Sequence, residues 1–478
     1  MFNIVKRYAN LGGEFCVQVM PSPLSTPQLI HYNHTLAHDL NLESGKQQLH
    51  NLVNLLGGTA TLKQYPALAS LYAGHQFGVW VPELGDGRAL LIAEHKDQHE
   101  NIWELQTKGS GTTPFSRGAD GRAVLRSSIR EYLCSHAMAS MGVPTTRALA
   151  IIGSNMPVYR EQVETAAVIL RVAPSFIRFG SFEVFAARKQ TQQLRQLIDF
   201  VITNYYSEVS NTHFPELSFY QEVIKHTALM LAKWQALGFC HGVMNTDNMS
   251  ILGLTLDYGP FGFMEEYNHD YICNHSDYHG RYAYVNQPYI AWWNLARLGE
   301  ALLDIIPEEQ VRSSLSGFSE HFTGYYLAEF GNKLGISDLG RGDLALVEEL
   351  LAILAQHKID WTIFWRQFSY QSSKPSLGVP QVLLNNTMYI EWLKKYQVRA
   401  SKISNEERQK IMLQVNPAIV PRNYMLQQAI SRAQSNDFSE VDRLFRALTN
   451  PYIESAEFRD YQGYPPQGTK SIPISCSS

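Results

Sequence analysis

The chain has few cysteines, and they are scattered. Five occur in 478 residues, at Cys16, Cys134, Cys240, Cys273 and Cys476. None makes the Cys-x-x-Cys spacing of a zinc site or the dense pattern of a disulfide framework. Long apolar runs are also missing: nothing approaches the roughly 18 residues that a membrane-spanning helix needs. The opening MFNIVKRYANLGGEF lacks the apolar core of a secretory signal. No charge sign dominates, and a net charge of −4 argues against nucleic acid or an acidic membrane as partner. Repeats and low-complexity blocks are absent. These absences point to a reduced, soluble, cytoplasmic protein, and an acidic chain of this size can stand alone as a monomer. Its 45% hydrophobic content is enough for an ample core, in two or three domains or one two-lobed unit.

What is present is a run of strand-like segments followed by helical ones. GDGRALLIAEH (85–95) reads as a glycine turn feeding a buried strand. NIWELQTK (101–108) alternates: Trp103, Leu105 and Thr107 share one face, and Glu104, Gln106 and Lys108 form a polar one. A loop rich in Gly and Ser follows. Leu125, Ile129, Leu133, Ala137 and Met141 then recur every four residues, which predicts a helix ending at Gly142, with Glu131 on its other face. TAAVILRV (165–172) predicts a strand with Arg171 near its end. Beyond about residue 186 the pattern turns helical, over 192–206, 217–238, 289–305 and 343–357. This order predicts a sheet-containing lobe, a helical lobe and a cleft between them.

The segment HGVMNTDNMSILGLTLDYG (241–259) carries the chemistry. Asn248 and Asp257 flank MSILGLTL, read as a short hairpin, and offer hard oxygen ligands. Mg²⁺ takes such oxygens, with phosphates completing its shell. Lys108 can meet those phosphates, and Glu131 can hold the lysine. A strand Lys, a helix Glu, His-x₆-Asn and Asp-x-Gly follow one another as in protein kinases. His241 to Asn248 keeps the spacing, and Asp257-Tyr258-Gly259 stands where Asp-Phe-Gly would. The position of the kinase catalytic aspartate is Val243, which cannot take a proton. Asp247 is the only acid in that loop.

Four stretches, ELQTKGSGTTPFSRGADGRAVLRSSIREYL, ILRVAPSFIRFGSFE, HGVMNTDNMSILGLTLDYGPFGFME and NHSDYHGRYAYVNQP, resemble the selenoprotein O family, also called the YdiU family. The motifs run from about Leu71 to Asn423. The resemblance implies a kinase-like fold that binds ATP flipped and transfers AMP, not phosphate, to Ser, Thr or Tyr hydroxyls of proteins, the chain itself among them. Some members use UTP with Mn²⁺. It also implies roles for residues. Lys108 pairs with Glu131 and touches phosphate. Gly85, Gly87 and Arg88 of GDGR, Asp120 and Gly121 of RGADGR, and Arg171 and Arg178 of LRVAPSFIR belong to the nucleotide pocket. Asn248 and Asp257 hold Mg²⁺ or Mn²⁺, Asp257 also facing the nucleotide, and Asp247 is the general base. Cys476 stands near where some members carry selenocysteine.

The expected fold is therefore α+β, two-lobed and kinase-like. Residues 1–185 are assigned to an N-terminal extension and the sheet lobe, 186–400 to the helical lobe with its catalytic and metal-binding loop, and 401–478 to a helical extension with a flexible tail. An ordinary kinase and a silent nucleotide-binding scaffold stay open. Val243 speaks against the first; Lys108, Asn248 and Asp257 speak against the second. His269, His275 and His279 lack tight ligand spacing and read as loop or hydrogen-bonding histidines. Trp292-Trp293 reads as helix core, and NPAIVPRN (416–423) as a helix boundary. For Cys476 two readings stand, an inert tail thiol and a redox contact with Cys273.

Overall fold

The computed structural model describes residues 2–42, 44–370 and 379–469. A nine-stranded antiparallel sheet takes up much of the first 173 residues. Its path runs Cys16–Gln18, Leu68–Ser70, Ala89–Lys96, Ile102–Lys108, Val163–Ala173, Arg147–Tyr159, Gln28–Tyr32. Ile4–Val5 adds to Ala89–Lys96, and Ala123–Val124 to Val163–Ala173. Both faces are covered. Leu36 and Leu52, from two short helices, meet Leu90, Leu105 and Leu170 on one side. Ile129 and Leu133 of the helix Leu125–Ser140 belong with Leu91, Ile151 and Ile169 to the core on the other.

The alternation over 101–108 is present, but its polar face is not solvated: Glu104, Gln106 and Lys108 are all buried. Glu104 lies directly opposite Glu94 in the register. Glu94 is satisfied by the N-terminal segment, accepting from the backbone N–H of Arg7 and Tyr8 at 2.9 and 3.0 Å and from the Tyr65 hydroxyl at 2.8 Å. Glu104 accepts from the Phe176 N–H at 2.8 Å. Burial, then the neighbouring Glu94 charge, push Glu104 up to about 8 from an ordinary value of 4.5. A folded value above the unfolded one means that the stability it confers is complete below the unfolded value and is lost as pH rises through the folded one. Between pH 5 and 8 the wild type is therefore expected to lose more stability than Glu104→Gln, a difference that thermal unfolding at several pH values will measure.

The helix Leu125–Ser140 is buried through most of its length, Glu131 included. Its second neighbour is the C-terminal pair of helices, Asn423–Gln434 and Ser439–Thr449. His136 stacks on Phe445 with ring centroids 3.7 Å apart. Arg130 donates to the Phe261 carbonyl at 2.7 Å and to Asn423 Oδ1 at 3.2 Å. Arg422 is almost wholly buried, bonding both oxygens of Asp360 at 2.7 and 2.9 Å and also Glu265. NPAIVPRN lies between the helices Asn405–Val415 and Asn423–Gln434, as its composition suggests, and it supplies both of these ties.

The helical half follows the sequence pattern. Thr191–Tyr205 and Pro215–Leu237 form, the latter closing on Gly238 at φ 69°, and Gln287–Ala301 and Leu344–Gln356 are the other two expected helices. Two readings need correction. MSILGLTL is not a hairpin: Ser250 bridges to Arg178 and Thr255 to Thr145. Its halves pair with other elements while Met249, Ile251 and Leu256 fill the core, so tertiary partners override local strand preference. Trp292 and Trp293 are not helix core. The buried stripe of their helix runs through Ile290, Ala291, Leu295 and Leu298. Trp292 is 37% exposed, and the guanidinium groups of Arg281 and Arg297 lie over the Trp293 ring, 4.8 and 4.9 Å from its centroid. Cys16, Cys134, Cys240 and Cys273 are buried free thiols, and Cys476 lies outside the described residues. Among the described residues no helix is long and apolar enough to cross a membrane.

Candidate active site

A cavity of about 670 Å³ opens between the sheet and the helical half, within the size range of small-molecule sites. Gly85, Gly87, Arg88, Lys108, Asp120, Gly121, Arg171, Arg178, Asp247, Asn248 and Asp257 all line it. Glu131 does not reach the cavity wall but stands behind it. Val243, at the position where a kinase has its catalytic aspartate, also lines the cavity.

The ion network at its back wall is built from two strands, a helix and a loop that are distant in the chain. Lys108 Nζ, at the end of its strand, donates to Glu131 Oε2 at 2.8 Å and to Asp257 Oδ1 at 2.9 Å. Arg171, one strand over, donates to the same two oxygens through Nη2 at 3.0 and 2.9 Å, and through Nε to Glu131 Oε1. Two cations and two carboxylates therefore balance in a cluster that is buried except at Asp257, whose side chain is 29% exposed. Burial opposes the charge on Glu131, but Arg171 and Lys108 outweigh it and hold the carboxyl below its ordinary value. Burial opposes the charge on Asp257 as well, but Lys108, Arg171 and Arg178 hold it well below the carboxylate range. Burial lowers Lys108, and the two carboxylates oppose that. Asp257 has φ 58°, the left-handed region that non-glycine residues seldom enter. Strain of this kind collects where a side chain must be aimed.

The loop opposite is a single tight turn, Thr246–Asn248. His241 fixes its entry, stacking on Trp234 and bonding the Leu256 carbonyl at 2.9 Å. Arg178 fixes its centre, donating to the Asp247 carbonyl at 2.7 Å. Asp247 Oδ2 accepts from Gln76 Nε2 at 3.2 Å, whereas Oδ1 is buried with no partner in the fold. Burial raises Asp247 to about 6, with Arg178 and Gln76 working against the rise. Asn248 Nδ2 donates to the Val243 carbonyl at 3.1 Å, which turns the amide so that its oxygen stays available. Among the described residues no three His, Cys, Asp or Glu side chains converge as a self-sufficient metal site. The residues instead fit a hard cation held by a few protein oxygens, those of Asn248 and Asp257, and completed by phosphates. Asp247 lines the same cavity, and its unpartnered Oδ1 is buried.

The glycines shape the walls. A Cβ on Gly121, at φ 66°, would come within 2.1 Å of the Gly111 backbone, so the two loops touch only because that side chain is missing. Asp120 sits at the rim, where Arg160 grips it at 2.8 and 3.0 Å. Sequence reasoning missed Arg160, Asp86 and Gln76. Asp86 is buried and accepts from the Ser70 N–H at 3.1 Å and from Gln106 Nε2 at 3.3 Å, and Arg178 stands 3.9 Å away. An acid between two glycines was its signal. Arg160 and Gln76 had none. His269 is at the surface beside Asp270.

Comparison with known proteins agrees with this arrangement. The family model described as protein adenylyltransferase SelO matches residues 2–449. The protein nucleotidyltransferase YdiU of Thioalkalivibrio sulfidiphilus is 46% identical over 99% of this chain and 98% of its own. Proteins of the same description from Myxococcus xanthus and Thiobacillus denitrificans are 45% and 44% identical, each over 98% of both chains. With a cavity lined by the residues its motifs singled out and relatives this similar over their full length, the chain belongs to the SelO family.

Proposed function

We propose that this protein transfers AMP from ATP to Ser, Thr or Tyr hydroxyls of proteins, itself included, and releases pyrophosphate. One observation carries the reading. The position where a kinase keeps its catalytic acid is apolar Val243, and the acid that faces the cavity instead is Asp247, with one carboxylate oxygen unpartnered. The names of the relatives, protein nucleotidyltransferases, support it.

In this reading Lys108, Arg171, Arg178 and Arg88 face the triphosphate and stabilise the charge that gathers on departing pyrophosphate, usually the largest catalytic term. The acceptor hydroxyl gives its proton to Asp247. Its oxygen forms a bond to the α-phosphorus, and the bond from that phosphorus to the α,β-bridging oxygen breaks, the electron pair leaving with pyrophosphate. Asn248 and Asp257 would hold Mg²⁺ or Mn²⁺, which when bound neutralises phosphate oxygens. Glu131 keeps Lys108 and Arg171 aimed.

The same reading takes the two halves as kinase-like lobes, 1–185 and 186–400, with 401–478 as an extension. The paired order of Lys108, Glu131, Asn248 and Asp257 supports that division. Four buried free thiols suit a reducing cytoplasm.

The test is to incubate the protein with Mg²⁺ and ATP labelled at the α- or the γ-phosphate. Protein-bound label from the α position alone, with pyrophosphate in solution, is the expected result. Label from γ alone identifies a kinase, and none from either a scaffold. A parallel reaction with α-labelled UTP and Mn²⁺ ranks the two nucleotides.

A further inference from the structure

The mechanism above leaves one element unused. A hairpin of two short strands, Gly74–Gln76 and Val79–Val81, stands apart from the nine-stranded sheet and leans on the loop that carries Asp247. Three consecutive hairpin residues bond three consecutive loop residues. The His75 N–H donates to Thr246 Oγ1 at 2.7 Å, Gln76 Nε2 to Asp247 Oδ2 at 3.2 Å, and the Phe77 N–H to Asn245 Oδ1 at 3.1 Å. The approach is as close as backbone allows: a Cβ on Gly74 would lie 2.8 Å from Thr246 Oγ1. His75 is tied from behind, its Nδ1 2.7 Å from Glu183.

Two features of this contact bear on catalysis. Gln76 holds one oxygen of the Asp247 carboxylate and leaves the other, Oδ1, buried and without a partner, so it sets the rotation of the carboxylate. Phe77 is held at φ 50°, a conformation that an L residue seldom adopts. Its ring packs against Tyr282 at 5.1 Å, yet the residue remains 41% exposed on the cavity lining. Val79 behind it is 67% exposed. The two-residue turn Phe77-Gly78, with both residues at positive φ, accounts for that backbone, and it leaves the aromatic ring half in water on the cavity lining beside Asp247. The ring is suited to receive an apolar side chain from a polypeptide whose hydroxyl enters the cavity.

We infer that the hairpin 74–81 is the acceptor wall of the site: Gln76 is a positioning residue that aims Asp247, and Phe77, with Val79, receives an apolar residue flanking the acceptor hydroxyl. The inference rests on the AMP-transfer reading and names the kind of protein segment that reading requires, one with an apolar side chain next to its Ser, Thr or Tyr.

The experiment uses the full chain, Mg²⁺, α-labelled ATP and a peptide library in which one Ser, Thr or Tyr is fixed and its flanks are randomised. The wild type is expected to label peptides with apolar flanking residues preferentially. Phe77→Ser is expected to flatten that preference and lower kcat/KM on apolar-flanked peptides by about tenfold or more, the discrimination one apolar contact supports. Gln76→Ala is expected to lower kcat by about tenfold, as for one lost hydrogen bond. In both variants KM for ATP and thermal stabilisation by ATP should stay at wild-type values, which damage to the fold would not allow. A wild type indifferent to flanking residues, a Phe77→Ser protein that keeps the preference, or a Gln76→Ala protein that changes KM for ATP and not kcat overturns the assignment. If the wild type moves no label from the α position, the transfer reading itself falls, and the acceptor wall with it.

Discussion

Asp247→Asn should lower kcat for AMP transfer by about 10²–10⁴-fold, the usual contribution of a general base, and leave ATP affinity near the wild-type value. The substitution keeps the size of the side chain and an oxygen that can still accept from Gln76. It removes only the capacity to take a proton. Asp247 is buried with a value raised to about 6, so at neutral pH it is largely ionised yet basic enough to accept a hydroxyl proton as the new bond forms. Affinity should persist because the phosphates are read by Lys108, Arg171 and Arg178, none of which bonds the Asp247 carboxylate; Arg178 reaches only its backbone carbonyl. Single-turnover rates together with calorimetric ATP binding separate the two effects. A variant that turns over within a few-fold of wild type would move the base elsewhere.

Glu131→Gln should destabilise the protein by about 3–5 kcal/mol, the range for breaking a buried ion pair by removing one partner. Glu131 is 2% exposed and receives Lys108 and Arg171 together. Without its charge, two buried cations share the single carboxylate Asp257. Glu308→Gln, which breaks the exposed Arg312–Glu308 pair at a helix surface, should shift stability by about 1 kcal/mol or less. Denaturant unfolding of the two variants beside the wild type checks the contrast. Equal losses would mean that the back-wall network contributes no more than a surface pair.

The parts of this molecule that were legible in its sequence are those with a regular period or a fixed order. The strand at 102–108 and the helix at 125–140 repeat at 2 and near 4 residues, and the order Lys, Glu, Asn, Asp was enough to pair Lys108 with Glu131, whereas the bonds from Lys108 and Arg171 to Asp257 carried no signal in the sequence. The strand Arg147–Tyr159 escaped because its register shifts between Ala148 and Ala150 and again between Gly153 and Pro157, which breaks the alternation a reader looks for. The hairpin 74–81 escaped because strands of three residues hold no period to detect. MSILGLTL misled in the other direction: its composition is strand-like, but its partners come from Thr145 and Arg178, far outside the segment. Gln76 meets Asp247 across 171 positions of chain, a contact that only the folded backbone creates.

Arg130, next to Glu131, is held by Asn423, and His136 of the same helix stacks on Phe445. The clasp on the glutamate helix is therefore among the last parts of the described chain to be synthesised. A nascent polypeptide that has emerged from the ribosome through residue 400 already carries the sheet-side packing of this helix and the Lys108 and Arg171 ties to Glu131, but it still lacks the helices that cover the other side.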